Sequence, residues 1–301
     1  MIWGTSPPIF QGFTAWLLAR LKHATFLFEV RDLWPDFAIA VGVLKNPILI
    51  NLSLWLENFL YQHADRMIVN SPGYVDHVLK RGAKSVELIP NGADPSMFNP
   101  ELDGLAFRQA HNLGDQFVVM YAGAHGLSND LQVVLDCALI LSSNPAFCFV
   151  FLGDGKEKAA LQKSAAEMEL PNVIFLPSVP KNEMADALAA AQVCIAILKP
   201  LPEYKTTYPN KVFDYMAAGR PVVLAIDGVI REVVENADCG VFPMPGNAQD
   251  MAMSIQFLEA DRDHAKTLGL HGRAYLEEHF SRELLAKKLG DLFDEMAEKK
   301  G

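Results

Sequence analysis

Between Phe117 and Met244, short runs of apolar residues alternate with segments of helical period. The strand-like runs are FVVMYAG (117–123), FCFVFLGDG (147–155), NVIFLP (172–177), VCIAIL (193–198), PVVLAI (221–226) and GVFPM (240–244). Helix-period segments lie between them at 131–142, 157–168, 182–191, 209–218 and 230–236. A strand that is apolar without alternation is buried on both faces, and intervening helices supply the cover. The pattern therefore predicts an α/β, doubly wound parallel sheet. Two long helical stretches, 248–278 and 282–299, are expected to brace it.

A sparser series precedes it: IWG (2–4), TFLFEV (25–30), RMIV (66–69) and SVELIP (85–90). At 301 residues the chain has room for two domains of roughly 100–150 residues each. Met1 leads straight into a buried-looking strand, with no helix or Gly-rich turn before it, so the first Rossmann-like domain is expected to be incomplete at its N-terminus. The turn-rich stretch Asn91 to Gly104 reads as the connection, with the boundary between about Asn99 and Gln116. The expected domains are 1–110, 111–280 and a terminal helix over 281–301.

Composition narrows the partners. Half of the residues are hydrophobic and the formal charge is −10, which offers no basic face to nucleic acid. Cys137, Cys148, Cys194 and Cys239 sit in apolar surroundings without zinc-type spacing, as small reduced core residues do, so a cytoplasmic location is the expectation. No signal peptide is visible. The longest apolar run after Pro35 is cut by Asp36 and by Lys45-Asn46-Pro47, too short for a spanning helix of about 20 residues. All four tryptophans (Trp3, Trp16, Trp34, Trp55) fall in the first 60 residues, near the positive stretch ARLKH (19–23). Core packing is the expected role of these rings, with a membrane-surface patch as the alternative.

Several short motifs carry chemistry. FEVRDLWP (28–35) places Glu29, Arg31 and Asp32 at a strand end, where parallel sheets open onto ligands; a structural Arg/Asp network is an equal reading. The loop after FVVMYAG carries Gly123, His125 and Gly126 ahead of a helix, and small residues there let backbone N–H groups approach an anion. His125 is expected to hydrogen-bond structurally. In YKTTYPNKVFDYMAAGRPVV (204–223), Pro209 and Gly219 bracket a short helix. Val212, Phe213, Met216 and Ala217 form its buried stripe, while Asn210, Lys211 and Asp214 share a front face. Lys211 could neutralise phosphate there and Asp214 could accept hydrogen bonds from a ribose diol; an i,i+3 ion pair between them is the simpler reading.

Taken in order, SPP (6–8), EVRDLWP, IPNGAD (89–94), YAGAHGL, FLGDG, LPSVPKNEM (176–184) and PNKVFDYMAAGRPVV resemble the retaining glycosyltransferases of the group 1, or family 4, type with the GT-B fold. The resemblance is nearest to bacterial N-acetyl-L-fucosaminyltransferase-like enzymes that build O-antigen and capsule sugars. It covers nearly the whole chain and implies two facing Rossmann-like domains, donor on the second and acceptor on the first, with a final helix crossing back. Asp214 then stands at the second glutamate of the family's E-x7-E motif and Thr206 at the first, so the motif reads T-x7-D. Val179 and Pro180 match the segment bordering the base, and Gly123 to Gly126 the phosphate-side loop. The usual Arg and Lys of that region are missing; Lys211 and Lys205 are the candidate replacements. Arg31 stands where many relatives carry a histidine near the reacting sugar, with Asp32 beside it.

The implied reaction moves an N-acetylamino sugar from a UDP-sugar to a lipid-linked glycan, with retention. Cations and N–H groups aimed at the departing diphosphate would lower its barrier. No metal or other cofactor is expected, because no Asp-x-Asp follows a strand. A peripheral place at the inner membrane face goes with that acceptor. The alternatives are a non-catalytic nucleotide-sugar-binding fragment and a UDP-sugar 2-epimerase.

Overall fold

The computed structural model describes residues 1–298, which form two compact units. One comprises Met1–Asn91, Leu201–Tyr208 and the chain from Glu283 onward; the other comprises Gly92–Pro200 and Pro209–Arg282. The expected helix end at Lys299, and the rest of segment 281–301 beyond Glu298, lie outside the described residues.

In the first unit, β1 (Ile2–Ser6), β2 (Phe26–Val30), β3 (Arg66–Val69) and β4 (Val86–Leu88) pair in parallel in that order. Helices α1 (Ile9–Leu21), α2 (Asp36–Ala40), α3 (Pro47–His63) and α4 (Val75–Lys80) connect them. The two-residue period of a strand divides the side chains between faces. Phe26, Phe28, Val30, Met67 and Val69 join the core that also holds Ile9, Leu56 and Leu60, whereas Leu27 and Ile68 meet Leu292 and Met296 of the final helix. Asn46 caps α3, its Oδ1 accepting from the N–H groups of Ile48 (2.9 Å) and Leu49 (3.3 Å), with Pro47 at the first helical position. Helix α1 buries its small residues Gly12, Ala15 and Ala19; a Cβ on Gly12 would lie 2.5 Å from the Phe28 ring.

Two expectations change here. β1 is an edge strand, and Trp3 is 45% exposed. Core packing holds for Trp16 and Trp34, which pack half-buried against the core, but Trp55 stands on the outer side of α3 and is 56% exposed.

The second unit contains α5 (Leu105–Ala110), β5 (Phe117–Ala122), α6 (Leu131–Ile140), β6 (Phe147–Leu152), α7 (Lys158–Glu167), β7 (Val173–Leu176), α8 (Met184–Ala189) and β8 (Val193–Ile197). It continues through α9 (Asn210–Ala217), β9 (Val222–Ala225), α10 (Val229–Asn236), β10 (Gly240–Val241), α11 (Ala248–Ala260) and α12 (Arg262–His279), before the final helix α13 (Arg282–Glu298) begins. Its six strands are parallel in the order β10-β9-β8-β5-β6-β7, and β5, β6, β8 and β9 are buried at every residue. The stretch read as one helix over 248–278 is two. Asp261 leaves helical geometry and caps α12 by accepting from the His264 N–H at 2.9 Å.

The units divide at Asn91–Gly92, at the start of the turn-rich stretch Asn91 to Gly104 and ahead of the expected boundary between Asn99 and Gln116. The intervening chain is fastened to the second unit. The Ala93 carbonyl accepts from the Arg282 N–H (2.9 Å), the Phe98 carbonyl from Arg273 (2.8 Å) and the Leu102 carbonyl from Arg220 (3.0 Å).

Candidate functional site

The strand order of the second unit reverses between β5 and β8, and at such a reversal the carboxyl ends of the strands part to leave a crevice. β5 pairs with β6 at six positions, but with β8 only at Val119–Val193 and Met120–Cys194. Beyond that point Tyr215 of α9 spans the gap. Its hydroxyl accepts from the Ala122 N–H (3.0 Å) and lies 3.0 Å from the Ala122 carbonyl and 3.3 Å from that of Ile195. These are backbone groups that the parting strands leave unpaired, and a buried polar group without a partner is costly. Tyr215 was absent from the stripe read in the sequence.

The loop after β5 is built against the loop after β6. The N–H groups of Gly123 and His125 donate to the carbonyls of Leu152 (2.9 Å) and Asp154 (2.8 Å), and the Glu157 N–H donates to the His125 carbonyl (3.0 Å). Contact is so close that only glycine fits at 153, where φ is +143° and a Cβ would lie 2.0 Å from the Gly123 carbonyl oxygen. Asp154 extends the framework, accepting from Lys158 (2.8 Å) and from the Ser178 N–H (3.0 Å), which holds the segment before Val179 and Pro180. Charge-assisted hydrogen bonding by Lys158 and the Ser178 N–H lowers its carboxyl to about 2.

Lys211, in the first turn of α9, reaches into this framework. Its Nζ donates to the Tyr121 hydroxyl at 2.6 Å, lies 3.3 Å from Asn129 Oδ1, and stands 4.0 Å from the centroid of the Tyr121 ring. Nζ is 3.3 Å from where a Cβ on Gly123 would be, so the ammonium borders the glycine loop directly. Tyr121 donates to the Ala124 carbonyl (2.7 Å), and Asn129 Nδ2 donates to it as well (3.0 Å). Among the described residues no carboxylate pairs with Lys211, and burial pushes its ammonium down to about 7. The i,i+3 ion pair with Asp214 is not made. Asp214, one turn on, is raised by burial to about 6 against the opposing charges of Lys181 and Arg282. Asn210 is exposed at the start of the helix.

α9 itself is fixed at both ends. Pro209 precedes the helix rather than opening its first turn, and Gly219 at φ +65° ends it. The N–H groups of Gly219 and Arg220 return to the carbonyls of Met216 and Tyr215, both at 3.0 Å.

Not every expected residue joins this cluster. The His125 ring is fully buried among Tyr121, Phe151 and Phe175, and among the described residues neither ring nitrogen has a hydrogen-bond partner. Burial pushes its imidazole down to about 4, so the ring is neutral, and its backbone rather than its side chain serves the loop. The expected structural hydrogen bond of the His125 ring is not made. Arg31, Asp32, Lys205 and Thr206 belong to the first unit. Arg31 is exposed at the end of β2 and donates to the Pro7 carbonyl (3.2 Å), while its N–H donates to the Ser6 carbonyl (3.0 Å). Surrounding protein raises the neighbouring Asp32 carboxyl to about 6, and Arg31 opposes the shift. Thr206 spends its hydroxyl on the Glu203 carbonyl (2.7 Å), and its own carbonyl accepts from Ser71. Lys205 is exposed in the same turn.

A glycine loop, a desolvated lysine and a carboxylate thus lie together at the switch point of a parallel sheet, an arrangement able to receive an anion. Residues 116–261 match the family "Glycosyl transferases group 1", and residues 1–92 match the "Glycosyl transferase 4-like domain". The chain belongs to the group 1 glycosyltransferases and has their GT-B fold of two Rossmann-like parallel-sheet domains. It is 24% identical to the putative colanic acid biosynthesis glycosyl transferase WcaI of Escherichia coli K12 over 74% of this chain and 56% of that protein. The chain thus spans little more than half the length of the curated relatives it matches. Its backbone resembles sucrose-phosphate synthase of Thermosynechococcus elongatus (TM-score 0.82, 22% identity, 99% of this chain and 73% of that one). It also resembles Anabaena HepE solved with UDP (TM-score 0.82, 16% identity, 98% and 79%). At these identities the likeness to solved structures establishes the fold alone.

Proposed function

We propose that the chain transfers a sugar, of the N-acetylamino type, from a UDP-sugar to a lipid-linked glycan with retention of configuration. The product would enter O-antigen, capsule or exopolysaccharide synthesis. The observation that carries this reading is Lys211, anchored by Tyr121 and Asn129 against the Gly123 loop.

Cleaving a sugar–nucleotide bond leaves negative charge on the diphosphate. A fixed ammonium beside a glycine loop stabilises that charge as it develops, without reorganising at the moment of reaction. Lys211 is desolvated and, among the described residues, unpaired with any carboxylate, so a diphosphate would become its counter-ion and draw a proton onto it. Asp214 supplies the acceptor for the ribose diol, and Val179 and Pro180 border the base. Arg31 and Asp32, at the strand end of the first unit, are the candidate groups on the acceptor side. Lys211 supplies the positive charge at the diphosphate in this reading, which calls on no metal. A cytoplasmic location accords with four buried free cysteines.

WcaI's printed role in colanic acid synthesis and the UDP-bound HepE support the polysaccharide and UDP parts of the reading. Fluorescence titration with UDP, followed by turnover assays on UDP-linked N-acetylamino sugars, tests it. UDP should bind below millimolar concentration and lose affinity in Asp214→Ala; absence of binding, or binding unchanged in that variant, contradicts the reading.

A further inference from the structure

The first turn of α7 carries a cation where a helix favours an anion. Lys158 opens that helix, and its charge opposes the positive end of the macrodipole. The side chain, 17% exposed, turns back toward the ends of two neighbouring strands. Nζ donates to the Gly153 carbonyl just after β6 (2.7 Å), to the Leu176 carbonyl that ends β7 (3.0 Å) and to Asp154 Oδ1 (2.8 Å). Every N–H donor of the ammonium is used, so the side chain has one position.

The other carboxylate oxygen of Asp154 accepts from the N–H (3.0 Å) and the hydroxyl (3.1 Å) of Ser178. Pro177, Ser178 and Pro180 are exposed and Val179 is half-buried, so core packing does not fix this segment. Its hold is Asp154, and Asp154 is held by Lys158. The glycine loop is fastened separately, by the backbone N–H groups of Gly123, His125 and Glu157, and none of these bonds uses the Lys158 side chain. The segment at Val179 and Pro180 can therefore loosen while the loop beside Lys211 stays in place.

We infer that Lys158 is a positioning residue for the choice of nucleobase: through Asp154 it holds the Ser178–Pro180 backbone at a set distance from the end of β6, so that this wall admits a pyrimidine and excludes the larger purine. The inference rests on the reading of Val179 and Pro180 as the border of the base. A wall selects by size only while it cannot yield.

Titrations of the 301-residue chain with UDP, ADP and inorganic pyrophosphate, beside hydrogen exchange of amides 176–180 without ligand, test it. The unaltered chain should prefer UDP to ADP. Lys158→Met should lower that preference about tenfold, leave pyrophosphate affinity unchanged and speed exchange at 176–180. Lys163→Met, which removes a 77% exposed lysine from the same helix, should change none of these. Asp154→Ala frees Ser178 but leaves Lys158 on the two carbonyls; it should lower the same preference, and it decides the matter if Lys158→Met does not fold. An unaltered UDP-to-ADP preference in either folded variant, equal weakening of all three ligands, or unchanged exchange overturns the inference. Failure of the donor reading shows separately, as absence of UDP binding to the unaltered chain, and the exchange rates judge the clamp even then.

Discussion

Helices α1 and α9 both cover parallel sheets, and they do so with opposite kinds of side chain. α9 turns Val212, Phe213, Tyr215 and Met216 inward and keeps Lys211 and Asp214 at the margin of its packed face. α1 turns Gly12, Ala15 and Ala19 inward and leaves Phe10, Leu17 and Leu21 outside. Large buried side chains hold α9 at a fixed depth, so the ammonium of Lys211 can be set to within hydrogen-bond distance of Tyr121. Small buried side chains bring α1 close to its sheet and reserve its bulk for something else. One helix depends on a depth set by large side chains and the other on close approach through small ones.

The contrast can be broken by mutation, and the largest effect falls in α9. Phe213 is fully buried and packs on Phe280, 4.9 Å between ring centroids, so Phe213→Ala should cost about 3–5 kcal/mol. Phe10→Ser on α1 should stay within about 0.5 kcal/mol. Chemical denaturation of both variants measures the difference; equal losses would erase the distinction. Tyr215→Phe keeps the packing but strips hydrogen bonds from Ala122 and Ile195, and should cost about 1–3 kcal/mol. Lys211→Ala should weaken UDP binding about tenfold to a hundredfold, since it removes a charged hydrogen-bond donor from the site. Tyr121→Phe, which loosens the lysine and leaves the Ala124 carbonyl to Asn129 alone, should weaken binding severalfold with little change in melting temperature.

The alkaline pH dependence follows from Lys211 with a definite sign. Its free-state value of about 7 lies below the ordinary lysine value of 10.5, and the diphosphate favours the charged form. UDP affinity should therefore be full below that value and fall as pH rises through it, by up to about tenfold per unit. Calorimetric titrations from neutral pH upward would reveal a flat profile if the lysine were already charged throughout.

The second sheet was legible because its strands are apolar without interruption, and a run of such strands spaced by helices keeps its side chains from water only when both faces of the sheet are covered. α1 and α3 were not, because large apolar residues stand both inside, as Ile9, Leu56 and Leu60 do, and outside, as Phe10, Leu17 and Leu52 do, which blurs the period. Lys211 and Asp214 could be picked out from their spacing on a short helix, but their separation from each other could not. The partners of Lys211 are Tyr121 and Asn129, 90 and 82 positions away in the chain. Tyr215 read as one more aromatic residue in a helix because its partners are backbone groups on strands parted by the sheet's reversal. Lys205 and Thr206 lie a few residues from Lys211, yet the chain passes from one compact unit to the other between Tyr208 and Pro209, which spacing cannot register.

The central claim is that Lys211 waits beside the glycine loop largely desolvated and becomes the counter-ion of a diphosphate. Calorimetry of UDP binding at about pH 8, in two buffers of different ionisation enthalpy, counts the protons taken up. With a free value of about 7 and a bound value restored toward the ordinary range, uptake should be roughly one proton per UDP, and none in Lys211→Ala. No uptake by the unaltered protein, or the same uptake in the variant, would contradict the account.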